Sequence, residues 1–359
     1  MISIIGAGPA GNNLAYLLAK KGQNVSVYEE HKLVGKPVQC TGLVTDSIKD
    51  LVDLKDEVIV NKIRSFKVFS KNNSVEIDFK KPNLVLDRMK FDLSLAERAK
   101  KAGVNYFLSS KFQSCTIKKD YVEFDINNKK IKSNYLIGAD GPFSQVAKSA
   151  GMYNNRKFMI APQARLTNID ISDKHIIEVY IGEGYFGWVV PENENTARLG
   201  VASYENSNVF FKYLLKRRAP KSKIEEYQSG VIPMYNPKQK IQNQRVFLIG
   251  DAACHTKNPS HGGIIQGLIA SKSLAEAITE NKDYSKLLKN LNKDLKYNFF
   301  IRKVLDKFSD NDLDKLISLV NKEKVKTILE TFDRDYPSKF LFKLIFNEPK
   351  LLFFAKYLF

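Results

Sequence analysis

The sequence predicts an α/β protein in which a Rossmann-like unit comes first, an antiparallel β-sheet region follows and a helical region ends the chain. Three observations support this prediction. A strand, a glycine-rich turn, a helix and a second strand open the chain within residues 1–30. Four strand-like segments occupy residues 160–205, and from Tyr284 onward the pattern is helical with lysine-rich polar faces. A chain of 359 residues is long enough for one large domain or for two to three moderate ones.

The first 30 residues have the pattern of a βαβ unit that binds a dinucleotide. The segment ISII predicts a strand, the residues after the glycines predict a helix, and NVSVYEE predicts the second strand. Gly6 permits a tight turn, Gly8 lets a pyrophosphate approach the helix N-terminus, and Gly11 lets the helix pack close to the strand. Glu29 ends the second strand, where a carboxylate accepts hydrogen bonds from an adenosine ribose.

Composition and charge exclude several classes of protein. Hydrophobic residues make up 43% of the chain and charged residues 27%, which is typical of a folded protein and not of a disordered one. Cys40, Cys115 and Cys254 are widely spaced, so we expect a reducing compartment and no disulfide framework. The formal net charge is +18, but the lysines are scattered along the chain without an aromatic-rich basic patch. We therefore expect no nucleic-acid partner, whereas anionic lipid headgroups or an acidic redox partner would suit this charge.

One segment, GDAACHTKNPSHGGIIQG at residues 250–267, contains residue types that bind metal ions. Cys254, His255 and His261 lie within eight positions of one another. Zinc sites usually present their ligands as two pairs, and this sequence has no second pair. The surrounding glycines and small residues instead indicate a loop beside a large flat group. We therefore predict no metal site, and we expect Cys254 to be a small apolar filler.

Four segments, in chain order, resemble the signatures of FAD enzymes of the para-hydroxybenzoate hydroxylase type. They are Gly6–Gly11 with Glu29, LDRMKFDLSLAERAKKAG from Leu86, LIGADGPFS from Leu136 and RVFLIGDAA from Arg245. KPVQCTG at Lys36–Gly42 and YFGWVVP at Tyr185–Pro191 resemble, more closely, the geranylgeranyl reductases of that superfamily. The resemblance covers roughly residues 1 to 275. It implies that the cofactor is FAD.

The resemblance also implies the organisation of the chain. A discontinuous FAD-binding domain is expected to comprise residues 1–60, 86–155 and 241–280. An antiparallel β-sheet domain for the substrate, residues 61–85 and 156–240, is inserted into it. Residues 281–359 are expected to form a helical C-terminal region.

Within the FAD-binding domain the resemblance assigns roles to individual residues. Arg88 is expected to face the diphosphate, although it could instead pair with Asp92. Asp251 is expected to contact ribityl or ribose hydroxyls, and the glycines after it to open a helix whose N-terminus faces the flavin ring. The residues implied in FAD binding are Gly6, Gly8, Ala10, Gly11, Glu29, Cys40, Arg88, Asp140, Gly141, Asp251, Gly262 and Gly263.

Candidate substrate and catalytic residues lie in the same motifs. Alternate side chains of the aromatic strand motif point to one face of the sheet, where they could line a tunnel for a prenyl chain or form ordinary sheet core. The implied substrate residues are Phe186, Trp188 and Pro191. Addition of hydride to an unactivated alkene needs a proton donor, for which a thiol, a phenol and an imidazole are available. The residues implied in catalysis are Cys40, Tyr185, Trp188 and His261.

The C-terminal segment from Tyr336, YPSKFLFKLIFNEPKLLFFAKYLF, interrupts phenylalanines with lysines. No apolar run reaches the ~18–20 residues that a spanning helix requires. Such a segment either lies on anionic lipid as an interfacial helix pair or packs against the substrate sheet. The N-terminus enters the first strand without a signal sequence, so we expect a cytoplasmic protein, free or peripheral at the inner face of the cell membrane.

The resemblance implies FAD-dependent reduction of C=C bonds in geranylgeranyl chains of archaeal-type membrane lipids or their precursors. The implied partners are a prenylated lipid and an external electron donor, which could be NAD(P)H, ferredoxin or a deazaflavin because the sequence has no second dinucleotide motif. The same FAD motifs occur in monooxygenases, so oxygen-dependent hydroxylation of an apolar or aromatic substrate is the alternative. A membrane-associated FAD-binding protein without turnover is a third hypothesis, favoured by Val190 in place of the last aromatic of the motif.

Overall fold

The structure, a computed structural model, describes residues 1–358. The chain divides into two units, each built from three segments. Unit 1 comprises Met1–Val38, Arg88–Lys157 and Pro233–Lys296. Unit 2 comprises Gln39–Asp87, Phe158–Ile232 and the residues from Tyr297 onward.

The strands and helices follow one another along both units. The strands are β1 Ile2–Ile5, β2 Val25–Tyr28, β3 Leu43–Val44, β4 Ile59–Phe69, β5 Ser74–Leu86, β6 Asn105–Phe107, β7 Phe112–Ile117, β8 Val122–Ile126, β9 Lys129–Ser133, β10 Tyr135–Gly138, β11 Phe158–Thr167, β12 Ile176–Gly182, β13 Tyr185–Pro191, β14 Thr196–Ser203, β15 Lys223–Pro233, β16 Gln242–Asn243 and β17 Val246–Leu248. The α-helices are α1 Pro9–Lys20, α2 Arg88–Lys101, α3 Gln145–Ser149, α4 Ser207–Arg218, α5 Ile264–Thr279, α6 Tyr284–Leu287, α7 Lys289–Leu305, α8 Asp310–Val320, α9 Glu323–Thr331 and α10 Leu341–Asn347. Short 3-10 helices lie at Asp46–Asp50, Asp56–Val58, Gly250–Ala253, Pro337–Lys339 and Pro349–Leu358.

Unit 1 is built on a six-stranded sheet in the order β16-β17-β10-β1-β2-β6. The pairings are parallel from β17 to β6, and β16 joins antiparallel at the edge. All four residues of β1 are buried, as expected for a central parallel strand that is covered on both faces. Helix α1 connects β1 to β2 and packs against α2 and α5. The predicted βαβ unit is therefore present.

A second, three-stranded antiparallel sheet, β7-β8-β9, also belongs to unit 1. Its apolar face packs around the fully buried Phe124. Cys115 on β7 packs against the same cluster, and burial raises the pKa of its thiol to about 11. This cysteine is therefore a protonated packing residue at neutral pH.

Unit 2 is built on an eight-stranded sheet in the order β15-β11-β14-β13-β12-β4-β5-β3. The pairs β11–β14, β14–β13, β13–β12, β4–β5 and β5–β3 are antiparallel. The pair of β12 and β4 is parallel. All eight residues of β14 are buried. Helix α4 covers one face of the sheet through Phe211 and Leu214.

The C-terminal helices of unit 2 pack on the sheet and on one another. Helices α8 and α9 contact β5, where Ile317 packs against Val75 and Ile77. Helix α10 packs on α9 and on the 3-10 helix Pro349–Leu358. Within residues 1–358, none of the helices combines the length and the apolar character that a membrane crossing would demand.

Candidate active site

The turn before α1 requires glycine at two positions. Gly6 has φ +102°, and a Cβ there would lie 2.3 Å from the carbonyl oxygen of Ala139. A Cβ on Gly11 would lie 2.3 Å from the carbonyl oxygen of Gly6. Either addition would push backbone against backbone, so the close approach of strand and helix depends on both glycines. At Gly8, in contrast, a Cβ would meet nothing within 4 Å, which leaves open space in front of the helix.

Helix α1 begins without a side-chain cap. Gly8 is the N-cap and Pro9 the first helical residue, a position where the missing proline N–H is no loss. The amides of Ala10 and Gly11 lie in the first turn, where an α-helix provides no acceptor. Because the helix dipole adds positive potential at this end, the terminus suits an anionic diphosphate.

Glu29 reaches back to the glycine turn. Its Oε2 accepts the backbone N–H of Ala7 at 2.7 Å, and its Oε1 accepts the backbone N–H of His31 at 3.0 Å. Nδ1 of His31 lies 2.6 Å from the same Oε1. A carboxylate has about four lone-pair positions, so Glu29 retains capacity to accept ribose hydroxyls.

Helix α5 begins next to the start of α1. Its N-cap is Gly263, which again provides no side-chain acceptor. Ala10 on α1 fills the contact between the two helices, since a Cβ on Gly250 or on Gly267 would lie 3.2 Å from the Cβ of Ala10. Unit 1 therefore brings two helix N-termini together without a capping side chain at either one. Ala10, predicted to bind the cofactor, has a packing role in this arrangement.

Asp251 lies beside the start of α5. A Cβ on Gly263 would lie 3.0 Å from Oδ1 of Asp251. Burial raises the pKa of its carboxyl to about 6, although the charges of Arg88 and Arg156 act in the opposite direction. Arg88 itself forms an ion pair with Asp92, at 2.9 Å between Nη2 and Oδ2. The structure thus shows the pairing that the sequence left open for Arg88, and it places the guanidinium close enough to act on Asp251.

Asp140 has both oxygens engaged within its own loop. Oδ1 accepts the hydroxyl of Ser144 at 2.6 Å, and Oδ2 accepts the backbone N–H of Val146 at 3.1 Å. Burial raises the pKa of this carboxyl, whereas the hydrogen bonds lower it. Gly141 follows with φ +74° and open space around its Cβ position. Asp140 therefore shapes the start of α3 through its side chain.

Arg156 was not among the predicted site residues, and it joins the loop after β10 to the loop after β17. Its Nη1 donates to the carbonyl of Pro142 at 3.0 Å, and its Nη2 donates to the carbonyl of Ala252 at 2.7 Å. Its guanidinium also lies over the Tyr153 ring, 4.3 Å from the centroid. No motif marks this position, because the two carbonyls meet only when the loops after β10 and β17 lie side by side.

The loop after Asp251 is compact. Cys254 has φ +56° and is buried, and burial raises the pKa of its thiol to about 11, so it acts as a filler. His255 is 1% exposed, and burial lowers its pKa to about 4, so its imidazole is neutral. His261 also has a left-handed φ of +60°, and a Cβ on Gly262 would lie 3.1 Å from Cε of Lys257, next to its ammonium group. Within residues 1–358, no three His, Cys, Asp or Glu side chains are grouped to hold a metal ion.

In unit 2, a buried arginine holds the segment that contains Cys40. Arg198 on β14 donates from Nη1 to the carbonyls of Cys40 and Thr41, at 3.1 and 2.8 Å. Its Nε donates to Glu192 Oε1 at 2.7 Å, and the two side chains are 8% and 5% exposed. Arg165 donates to the other oxygen of Glu192 at 2.8 Å. The main chain at Cys40 is therefore fixed by a buried ion pair.

A second contact joins the same segment to Trp188. Gln163 Oε1 accepts the hydroxyl of Thr41 at 2.6 Å and the indole N–H of Trp188 at 3.0 Å. Gln163 and Trp188 both pair with Gly200, on the strand between theirs. A Cβ on Gly200 would lie 2.4 Å from Cζ2 of Trp188, so the indole crosses this strand only because the residue is glycine. Glycine inside a strand was the only sequence signal of this contact.

The structure separates the other candidates on β13. Phe186 and Trp188 lie on one face, with ring centroids 6.1 Å apart. Tyr185 lies on the opposite face, where its ring stacks on Phe210 at 4.8 Å and burial raises its pKa. Pro191 is buried, and its carbonyl accepts the side-chain amide of Asn61 at 3.0 Å. Cys40 and Trp188 are thus joined through Gln163 and Thr41, whereas Tyr185 is not part of this group.

Comparison with known proteins places this chain in a family. A family model described as FAD binding domain matches residues 1–268. The digeranylgeranylglycerophospholipid reductase of Methanosarcina acetivorans is 30% identical over 305 residues, which cover 78% of this chain and 75% of that protein. The chain belongs to the geranylgeranyl reductase family of FAD-binding proteins. The digeranylgeranylglycerophospholipid reductase of Methanocaldococcus jannaschii is 28% identical over 393 residues, which cover 99% of this chain and 97% of that protein.

Solved structures show the same fold. A geranylgeranyl bacteriochlorophyll reductase-like protein from Thermoplasma acidophilum has a TM-score of 0.83 at 21% identity, covering 100% of this chain and 98% of that one. A flavin-dependent brominase has a TM-score of 0.74 at 17% identity, covering 98% of both chains. At such low identities these likenesses concern the fold alone. The predicted fold class is confirmed.

Three further predictions are confirmed: the family, the cofactor and the enzyme class. The family was predicted from the six motifs. The cofactor is FAD, and the protein is an FAD-dependent oxidoreductase. The two glycine-opened helix starts of unit 1, with Glu29 and Asp251 beside them, provide the donors and acceptors that this dinucleotide requires.

Proposed function

We propose that this protein reduces isolated C=C bonds in geranylgeranyl chains of a glycerophospholipid or its precursor, the substrate class for which several of its relatives are named. One observation carries the proposal. The match to the M. jannaschii reductase extends over 99% of this chain, so it includes the residues of unit 2 as well as the FAD-binding motifs. The brominase, in contrast, supports only a common fold.

We propose that unit 1 holds the FAD. The first-turn amides of α1, including Ala10, would bind the diphosphate, and Glu29 would accept the ribose hydroxyls. Asp251 would accept hydroxyls of the ribityl or ribose group, and the positive end of α5 suits the electron-rich edge of the ring. The remaining residues proposed to line this site are Gly6, Gly8, Gly11, Arg88, Asp140, Gly141, Gly262 and Gly263.

Bound FAD supplies the hydride for alkene reduction, and the chain must supply a proton because an isolated alkene does not accept hydride alone. We propose Cys40 as this donor, with the proton on Sγ. Its Sγ accepts the backbone N–H of Gly42 at 3.4 Å. Arg198 holds the carbonyl of Cys40 and thereby fixes the position of the thiol. His261 of unit 1 is the second candidate donor.

The partly exposed face of β13 is the proposed prenyl-binding surface. Phe186 and Trp188 lie on this face, and Trp188 packs beside the buried Val190 and Ile63. Such a surface binds a hydrocarbon chain without offering it polar groups, and it excludes water from the alkene. Pro191 would contribute through its place at the end of the strand, since its own side chain is buried.

We propose that an external donor, NAD(P)H, ferredoxin or a deazaflavin, re-reduces the FAD. We also propose that the protein works peripherally at a lipid surface, because its substrate is a membrane lipid. Anaerobic reduction of the bound FAD by each donor class, followed by absorbance, would identify the donor independently of the lipid.

The deciding experiment is mass spectrometry of a geranylgeranylated glycerophospholipid after anaerobic incubation with the FAD-loaded protein and dithionite. We expect mass gains in steps of two hydrogens. Cys40→Ala should slow these steps, and Cys115→Ala, which changes a packing thiol of unit 1, is the matched control. Unchanged lipid beside reduced FAD would refute the reductase proposal. Oxygen uptake with a hydroxylated product would establish the monooxygenase alternative instead.

A further inference from the structure

The C-terminal segment of unit 2 has one inward face. In the 3-10 helix Pro349–Leu358, residues three apart align, and Leu351, Phe354 and Tyr357 all point toward the protein. The ring of Phe308 lies 4.6 Å from that of Phe354 and 5.4 Å from that of Tyr357. The hydroxyl of Tyr357 donates to Asp312 at 2.9 Å. The segment is therefore anchored on α8 and is not a loose tail.

Its outward face carries four large apolar side chains that are more than half exposed. On α10, Phe342 and Phe346 are 67% and 84% exposed, whereas Leu344 between them is buried against α9. On the 3-10 helix, Leu352 and Phe353 are 53% and 72% exposed. We call these four residues the aromatic face. Single exposed apolar residues are common, but four within 12 positions on two packed segments mark an interaction surface.

Lysines surround the aromatic face. All four lysines between Pro337 and Leu358 are exposed: Lys339, Lys343, Lys350 and Lys356. The segment has one acidic residue, Glu348, which is 6% exposed and forms an ion pair with Lys322, the N-cap residue of α9. The surface that reaches solvent is therefore apolar and cationic, without a compensating exposed carboxylate on the same segment.

A cavity of about 470 Å³ opens beside the aromatic face. Phe353 lines it, together with Lys315, Lys350 and Lys356. Asp312 and Asp314 also line it, but both carboxylates already accept hydrogen bonds. Asp312 accepts from Ser309 and Tyr357, and Asp314 accepts from Ser70 and Asn72. Three ammonium groups around a space of this size suit an anionic headgroup next to an inserted phenylalanine.

We propose that the aromatic face and its four lysines dock this protein on an anionic lipid surface. The phenylalanines would enter the boundary between headgroups and acyl chains, and the lysines would keep their ammonium groups among the anionic headgroups. The arrangement of a positive rim around an apolar centre is the charge complement of such a surface. The proposal concerns where the protein binds and does not depend on which lipid it reduces.

Vesicle co-sedimentation of the FAD-loaded full-length protein tests this docking. We expect binding to phosphatidylglycerol vesicles, weaker binding to phosphatidylcholine vesicles, and weakening by salt. The variant F346S/F353S should lose most of the binding. The variant K343Q/K350Q should bind phosphatidylglycerol about 25-fold more weakly, at about fivefold for each lysine.

Matched controls lie elsewhere on unit 2. Tyr227→Ser removes an aromatic residue that is 70% exposed on β15, and K212Q/K216Q removes two exposed lysines of α4. Both controls should bind like the unchanged protein, and unaltered FAD absorbance and Tm would show that the test variants remain folded.

Equal binding by the test and control variants would overturn the proposal. So would a loss of self-association in F346S/F353S, seen by sedimentation velocity, while vesicle binding stays unchanged, because the face would then join two copies of this chain. Neither result affects the mass-spectrometric assay of alkene reduction, because in that assay the lipid is dispersed in detergent and no vesicle surface is needed.

Discussion

Trp188 donates its indole N–H to Gln163 across a strand that lies between them, at 3.0 Å. Gly200 on that strand makes the crossing possible, because any side chain there would overlap the indole. The same Gln163 oxygen accepts the hydroxyl of Thr41, the neighbour of Cys40. One buried amide therefore sets the position of the proposed substrate contact relative to the proposed proton donor.

Gln163→Leu removes the acceptor that Trp188 and Thr41 share. We expect the free energy of unfolding to fall by about 1 kcal/mol, because two partly buried donors lose their shared acceptor. Trp188 is the only tryptophan in the chain, so intrinsic fluorescence reports on it directly. The emission should move to shorter wavelength as the indole loses its hydrogen bond.

Gln163→Glu is the matched control for the acceptor, because one carboxylate oxygen can still accept from Trp188 and Thr41, while the other replaces the amide that donates to Gln228. Its emission should stay close to that of the unchanged protein. An identical shift in the Leu and Glu variants would show that the fluorescence responds to general repacking and not to this hydrogen bond.

Gly200→Ala places a methyl group where the indole of Trp188 lies, 2.4 Å from Cζ2. We expect a loss of about 1–3 kcal/mol in stability, together with a shift in tryptophan emission. Gly187→Ala on the neighbouring strand is the control. Its added Cβ would lie 2.8 Å from Leu214 on α4, so it should destabilise the sheet without moving Trp188. Emission changes of equal size in both variants would contradict the proposed crossing.

Arg198→Lys should loosen the segment that contains Cys40. Lysine keeps the charge toward Glu192 but cannot donate in a fork to both the carboxylate and the two carbonyls. We expect the free energy of local opening of this segment to fall by about 1.4 kcal/mol. The rate at which Cys40 reacts with a thiol reagent should therefore rise about tenfold. Labelling followed by mass spectrometry measures this rate, and the buried Cys254 serves as an internal reference.

Arg165→Lys provides the comparison for Arg198. Arg165 also donates to Glu192, but within residues 1–358 no hydrogen bond joins its side chain to the Cys40 segment. Its substitution should leave Cys40 labelling close to that of the unchanged protein. Faster labelling in both variants would assign the effect to Glu192 and not to the carbonyl contacts of Arg198.

Asp251→Asn should change the pH dependence of stability in the FAD-free protein. The folded-state pKa of Asp251 is raised to about 6 from 3.8 by burial, so folding favours the protonated carboxyl. Its contribution to the free energy of unfolding therefore falls as pH rises from about 4 to about 6. Relative to the unchanged protein, Asp251→Asn should gain about 2 kcal/mol between pH 4 and pH 7.

Urea unfolding at several pH values measures this difference, in which contributions from other groups such as His255 cancel. The exposed Asp120→Asn is the control. A difference that stays constant with pH would show that Asp251 does not titrate as a buried carboxyl. Weaker FAD retention by Asp251→Asn, but not by the control, would connect the same residue to the cofactor.

Much of unit 1 could be predicted because its signals are local. Gly6, Gly8 and Gly11 lie within one turn, and their spacing alone specifies a close strand-to-helix approach. Glu29 follows at the end of the next strand, where it contacts the turn through Ala7. The parallel sheet follows from such βαβ geometry.

Other features could not be predicted, because they depend on strands that are distant in sequence. Arg198 and Cys40 are 158 positions apart, and Gln163 and Thr41 are 122 apart. Tyr185 and Trp188 share one motif, yet the alternation of side chains along β13 sends them to opposite faces.

The sequence by itself determined the family, the FAD cofactor and the α/β class, since short motifs with fixed backbone requirements encode them. It also determined a basic, phenylalanine-rich C-terminus. Only the tertiary structure decided which of those phenylalanines pack inward and which reach solvent, and which polar side chains meet across the sheet of unit 2. The reason is physical: a motif specifies a local backbone path, whereas burial and hydrogen-bond partners depend on which distant strands become neighbours.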